Sequence, residues 1–147
     1  MKARTSGFFL STLIIFTCYF ANAEEKHKIP VAPPEYLAMK NIFNISEKFK
    51  DKKFIKRSGR AYKRKCLKCH GVNGDGKGSR AVDFVIKPVA FAAPGYLNSR
   101  SDGQLYWIIE NGSPGTEMPA HGFGSRANLN NEEIWQIITF LRYKYTN

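Results

Sequence analysis

Cys66, Leu67, Lys68, Cys69 and His70 stand consecutively, and the two thiols are close enough to act together. In an exported protein such a pair reads first as a disulfide. Two intervening residues also suit a redox dithiol or half of a zinc site. His70 decides among these, because C-x-x-C-H is the pattern for covalent attachment of haem c. Each thiol adds to one vinyl group, and the adjacent imidazole then lies under the iron as its proximal ligand. A zinc site would need two more thiolates or imidazoles at matching spacing. Only His27 and His121 remain, and they form no such pair. A dithiol of the thioredoxin kind would want a βαβ context, which the chain lacks.

Glycine follows the histidine densely, at Gly71, Gly74, Gly76 and Gly78. Glycine lets a backbone take positive φ and pass close to a bulky group. The run lacks the G-x-x-x-x-G-K-[ST] spacing of a phosphate loop, and no strand precedes it. A loop wrapping one haem edge is the better reading. A six-coordinate iron needs a second axial ligand. Of Met1, Met39 and Met118, the last sits in an irregular loop after Gly112, Pro114 and Gly115. Pro119 biases Met118 to an extended conformation and stiffens the segment. Met118 is therefore expected as the distal ligand, with His121 as its competitor.

The elements that must position these residues read as an all-α chain. A first helix is expected from an Asp51 cap to about Cys69, with Ile55, Ser58, Tyr62, Cys66 and Cys69 on one face. A second runs from about Ser101 to Asn111, with Gly112 just past its end. The last begins at Asn130, whose Glu133 partner makes a capping-box pattern, and carries Ile134, Ile138, Leu141 and Tyr145 as its apolar stripe. Val82 to Val89 is the nearest strand candidate, and Pro88 argues against it. Residues 24–50, with Pro30, Pro33 and Pro34, read as an extended arm.

Taken together, residues 54 to 143 resemble the class I monohaem c-type cytochromes of bacteria. The resemblance rests on Tyr62 four before Cys66, on Cys66-Leu67-Lys68-Cys69-His70-Gly71 with its glycines, on Asp102 to Gly112, on Met118-Pro119, and on Glu132 to Arg142. It implies three to five helices wrapped around one covalent haem c with its iron, ligated by His70 and Met118. It implies that the first and last helices cross. It also implies that a proline carbonyl, Pro88 or else Pro94, accepts the ring N–H of His70, which would raise the basicity of that ligand. One departure is visible: Ser58 occupies the usual glycine slot at the crossing, and Gly59 is displaced by one. The crossing is accordingly expected to be wider or rotated.

Length and charge bound the remaining reading. Of 147 residues, 1–23 look like a secretory signal peptide: Lys2 and Arg4, an apolar run from Phe8 to Phe20, then Ala21-Asn22-Ala23. An uncleaved anchor helix and a lipid-bearing Cys18 are the alternatives. Cleavage leaves an arm over 24–50 and a domain over 51–147, in the periplasm and with no membrane span. The remaining chain has 21 basic and 12 acidic residues, and the excess is local. Lys48 to Lys68 holds eleven Lys or Arg and one acid, whereas Cys69 to Asn147 holds seven of each. A basic run often marks a nucleic-acid binder. Secretion and a haem speak instead for an acidic redox partner or an anionic membrane surface. Lys63, Lys65 and Lys68, with Arg60 and Arg64, lie beside the attachment site. The expected protein is a periplasmic single-electron carrier, not an enzyme, because two axial ligands leave no open position. A subunit docked in a larger oxidoreductase is the alternative, and a haem enzyme or gas-binding protein a further one.

Overall fold

A computed structural model describes residues 28–146. The signal-peptide reading, Cys18 and the cleavage site lie outside them. Among the described residues the fold is all-helical. Three helices exceed one turn: Lys52–Lys65, Asp102–Asn111 and Asn131–Tyr145. Single turns occupy Pro34–Leu37, Ile45–Lys48 and Leu67–His70. In chain order these are α1 (Pro34–Leu37), α2 (Ile45–Lys48), α3 (Lys52–Lys65), α4 (Leu67–His70), α5 (Asp102–Asn111) and α6 (Asn131–Tyr145). The strand candidate Val82 to Val89 contains only a 3₁₀ turn at Ala81–Asp83. No helix among the described residues is long and apolar enough to cross a membrane.

Each long helix starts where a side chain can cap it. Asp51 accepts from the Phe54 N–H, Ser101 from Gln104, and Asn130 from Glu133. Glu133 returns the bond to the Asn130 N–H and closes the capping box. Inside, α6 buries Ile134, Ile137, Ile138 and Leu141 against Leu97, Leu105, Tyr106 and Leu129. Burying an aliphatic side chain of this size contributes about 1.5–3 kcal/mol, so this stripe is the principal adhesive of the fold. Arg142 locks the rim of the core. Its guanidinium pairs with Asp102 at 2.7 Å and donates to the carbonyls of Leu97 and Arg100.

α3 packs across α6. The close approach is made at Gly59, where a Cβ would lie 2.9 Å from the Phe140 ring. Ser58 is fully buried beside it, and its hydroxyl donates back to the Phe54 carbonyl. The contact is thus rotated by one residue toward Gly59, and the serine fits because its own helix satisfies its hydroxyl.

Two expectations are corrected. The first helix ends at Lys65, not near Cys69: Cys66 has φ −119° and breaks the run before the single turn α4. Residues 28–50 do not stand off as an extended arm. Tyr36, Met39 and Phe43 pack against the core, and α1 lies on α5. Prolines 33 and 34 stop a long helix there but suit the start of a short one, with Pro34 at its first position.

Candidate functional site

The break at Cys66 is what shapes the site. Cys69 and His70 both donate their N–H to the Cys66 carbonyl, at 3.1 and 2.9 Å. One tight turn therefore holds both cysteines and the histidine. Gly71, at φ +80°, ends it. Both thiols are free. Burial of the Cys66 thiol, with Cys69 beside it, pushes its pKa up to about 12. It stays a protonated thiol at neutral pH.

His70 is buried, and burial lowers its pKa, with the Val89 hydrogen bond acting the other way. Its Nδ1 lies 3.2 Å from the Val89 carbonyl. A carbonyl only accepts, so Nδ1 carries the proton and Nε2 keeps its lone pair for a metal. The acceptor is Val89, one residue beyond the expected Pro88, and Pro94 is not involved. Pro88 instead points its carbonyl at Gly76, where a Cβ would come within 2.3 Å of it. Gly76 also donates to the His70 carbonyl at 3.0 Å, and Ala92 donates to the Gly74 carbonyl at 3.0 Å. Residues 74–78 and 88–92 interlock this way, and the interlock puts Val89 over the imidazole.

Phe91 stacks on the His70 ring at 4.4 Å and 20° between planes. It is itself wedged among Tyr62, Tyr96 and Tyr145. Tyr62 is buried, donates to the Gly71 carbonyl at 2.7 Å and lies against Phe140 and Tyr145. It buttresses the turn after His70 from behind. Val89 and Phe91 were not singled out from sequence. A lone large aromatic in the irregular stretch after Pro88 was the available clue to Phe91. Nothing local distinguishes the carbonyl of Val89 from that of Pro88.

Met118 lies half-buried in the loop after α5. Its carbonyl accepts from the Ser113 N–H at 3.0 Å, and its N–H donates to Thr116 Oγ1 at 3.1 Å. Gly112, at φ +79°, sits beneath it: a Cβ there would lie 2.7 Å from the Met118 carbonyl. Glu117 accepts from the Val85 N–H, joining this loop to the one that follows the cysteine turn. His121, three residues on, is close enough to His70 to contribute to lowering its pKa. The structure thus brings His121, at the end of this loop, near His70. Burial lowers the pKa of His121 as well, and its Nδ1 is buried without a hydrogen-bond partner. Met39, by contrast, is core filler beside α5.

These residues fit a covalently held haem. Two free thiols share one turn, the imidazole is buried with one ring nitrogen left as a lone pair, and Gly76 and Gly78 let the loop pack where any side chain would strike backbone. Comparison with known proteins agrees. A family model described as Cytochrome c matches residues 55–144. Among solved structures, a chain of the Kuenenia stuttgartiensis reducing HAO-like protein complex is similar. The identity is 28%, the TM-score 0.50, and the match covers 61% of this chain and 43% of that one. The present chain therefore spans less than half of that relative. Comparison with curated proteins found no match. On the sequence motif, the all-helical fold and the family match over most of the folded region, the chain belongs to the cytochrome c family.

Proposed function

We propose that the protein is a periplasmic carrier of single electrons, in which Cys66 and Cys69 would hold one haem c and His70 and Met118 would ligate its iron. The observation that carries this reading is the single turn presenting two free thiols and a buried, neutral His70 oriented by Val89. The bound haem supplies a one-electron ferric/ferrous couple. The chain's own part is to hold the imidazole with its proton on Nδ1, to offer a thioether from a stiff loop, and to keep water from the ligand side with Phe91, Tyr62 and Tyr145. A thioether ligand together with burial favours the reduced form. Intact-mass analysis of protein from the periplasm is the direct test. It should give a chain beginning at Glu24 plus one haem that acid–acetone does not extract. An uncleaved N-terminus, a second haem or an extractable haem would overturn the reading.

Partner docking is assigned to the basic face. α3 carries eight Lys or Arg and no acid. The one ion pair among the described residues is Arg142 with Asp102, so no carboxylate is ion-paired on that face, and the one acid beside it is Asp51 at the start of α3. Lys63, Arg64 and Lys68 are exposed beside the cysteine turn. Lys65 is not free to join them, because its ammonium donates to the Ala127 carbonyl at 2.9 Å. Exposed ion pairs contribute only about 0–1 kcal/mol each, so the charge acts mainly on encounter. The field reaches about 10 Å at 0.1 M salt and can raise association rates roughly ten- to a thousandfold. The second-order rate of electron transfer with an acidic redox partner should fall steeply as salt rises. Lys63→Glu with Lys68→Glu should flatten that dependence. A rate indifferent to salt would make the face merely solvated.

The similarity to a chain from a redox complex favours one second reading, a bound electron-transfer subunit. Purification without added salt separates the two: a carrier elutes alone, and a subunit brings a stoichiometric oxidoreductase with it.

A further inference from the structure

α5 is gripped at both ends, and the two grips meet at Glu110. On one side the segment of residues 30–37 lies along the helix. Gln104 donates from Nε2 to the Pro30 carbonyl at 3.0 Å and accepts from the Ala32 N–H at 2.8 Å. Gly103 admits the Tyr36 carbonyl so closely that a Cβ would lie 1.7 Å from it. Tyr36 then donates its hydroxyl to Glu110 Oε2 at 2.7 Å. That bond to a carboxylate raises the Tyr36 pKa, so the hydroxyl stays a donor across the physiological range. On the other side, Glu110 meets the segment that follows Met118. Its carbonyl accepts from the N–H groups of His121 and Gly122, at 3.2 and 3.0 Å. Its side chain fills the space beside Gly122, where a Cβ would lie 2.6 Å from Glu110 Cγ.

We propose that the N-terminal segment is a brace for the Met118 loop, with Tyr36 and Glu110 as the positioning residues through which it acts. This rests on the reading of Met118 as distal ligand. The mechanism is steric and hydrogen-bonded. Tyr36 fixes the Glu110 carboxylate at the end of α5, and the fixed side chain backs Gly122 while the Glu110 carbonyl anchors the same turn. Freed from Tyr36, the Glu110 carboxylate keeps only the longer bonds from Asn111 Nδ2 at 3.2 Å and the Tyr106 hydroxyl at 3.5 Å, so its side chain is held less tightly and the turn behind Met118 loses part of its backing. The thioether then leaves its position more often, and an external ligand can replace it. Hydrogen bonds to charged groups are stronger than neutral ones, so one hydroxyl is enough to register.

The test is the affinity of the ferric holoprotein for free imidazole, which must displace the distal ligand to bind. Tyr36→Phe removes only the hydroxyl and should tighten imidazole binding about threefold. Gly103→Ala, which forces the segment off α5, should tighten it about tenfold, equivalent to about 1.4 kcal/mol. Met118→Ala marks the limit of an absent thioether. Phe49→Ala removes a ring packed on Tyr143, away from this path, and should lower thermal stability without changing imidazole affinity. Wild-type affinity in Tyr36→Phe and Gly103→Ala, alongside tighter binding in Met118→Ala, would overturn the brace while leaving the ligand in place. Should Gly103→Ala fail to fold, Tyr36→Phe decides. Unchanged affinity in Met118→Ala would overturn the ligand assignment and the brace with it.

Discussion

Met118→Ala is expected to abolish the methionine-to-iron charge-transfer band of the ferric protein, to lower its reduction potential, and to open the iron to carbon monoxide and imidazole. The expectation separates ligation from folding because the main chain at this position is pinned independently of its side chain. Ser113 and Thr116 hold the Met118 carbonyl and N–H, and Gly112 lies beneath them. Truncation removes the thioether and leaves the loop in place. Loss of a thioether ligand removes the preference for the reduced form that it confers, which fixes the sign of the potential change. Imidazole affinity should rise roughly a hundredfold, about 2.7 kcal/mol, since nothing has to be displaced. His121→Ala should leave the ligation spectrum as it is. The spectra and a redox titration of the two variants check this. A wild-type spectrum in Met118→Ala, or an altered one in His121→Ala alone, would assign the iron to the histidine. Ready carbon monoxide binding by the unaltered ferrous protein would instead favour a gas-binding or enzymatic role.

Gly78→Ala is expected to be strongly destabilising, through contact alone. Gly78 is not required for positive φ; it is required for space. A Cβ there would lie 2.3 Å from the Lys68 carbonyl oxygen and 2.7 Å from the Cys69 carbonyl carbon, all backbone of the attachment turn. The loop cannot retreat cheaply. Gly78 donates to the Cys69 carbonyl at 3.0 Å and Arg80 to the Lys68 carbonyl at 2.8 Å, and moving away breaks both. Overpacking and lost buried hydrogen bonds together should cost about 3 kcal/mol or more. For a domain of this size that lowers Tm by roughly 12 °C or more. Gly95→Ala is the comparison. Gly95 has φ +73° with nothing within 4 Å, so it meets backbone strain alone, about 1–2 kcal/mol. Thermal unfolding of both holoproteins should rank Gly78→Ala well below Gly95→Ala. Equal losses would mean that conformation, and not contact with the cysteine turn, makes Gly78 necessary.

The family, the haem-attachment turn and the three long helices were legible in the sequence, because each is a local arrangement. Cys66, Cys69 and His70 span a single turn. The caps at Asp51, Ser101 and Asn130 are bonds between residues three apart. The stripe of Ile134, Ile138 and Leu141 follows from helical period alone. Chain neighbours determine all of these, whatever the rest of the molecule does.

What the tertiary structure decided lies between residues far apart in the chain. Two of these contacts join partners 72 and 98 positions apart, Ala32 with Gln104 and Asn41 with Thr139. They turned an expected arm into part of the packed body. The acceptor for His70 moved from Pro88 to Val89, because the interlock of residues 74–78 with 88–92 sets which carbonyl faces the ring. The helix crossing shifted from Ser58 to Gly59 through the position of the Phe140 ring. Each is a shift of one residue, or a docking between segments with no local preference for each other. Short-range bonds are specified by spacing along the chain. The choice among long-range contacts is made only when the whole core packs, since burial rewards every compatible partner and excluded volume selects one.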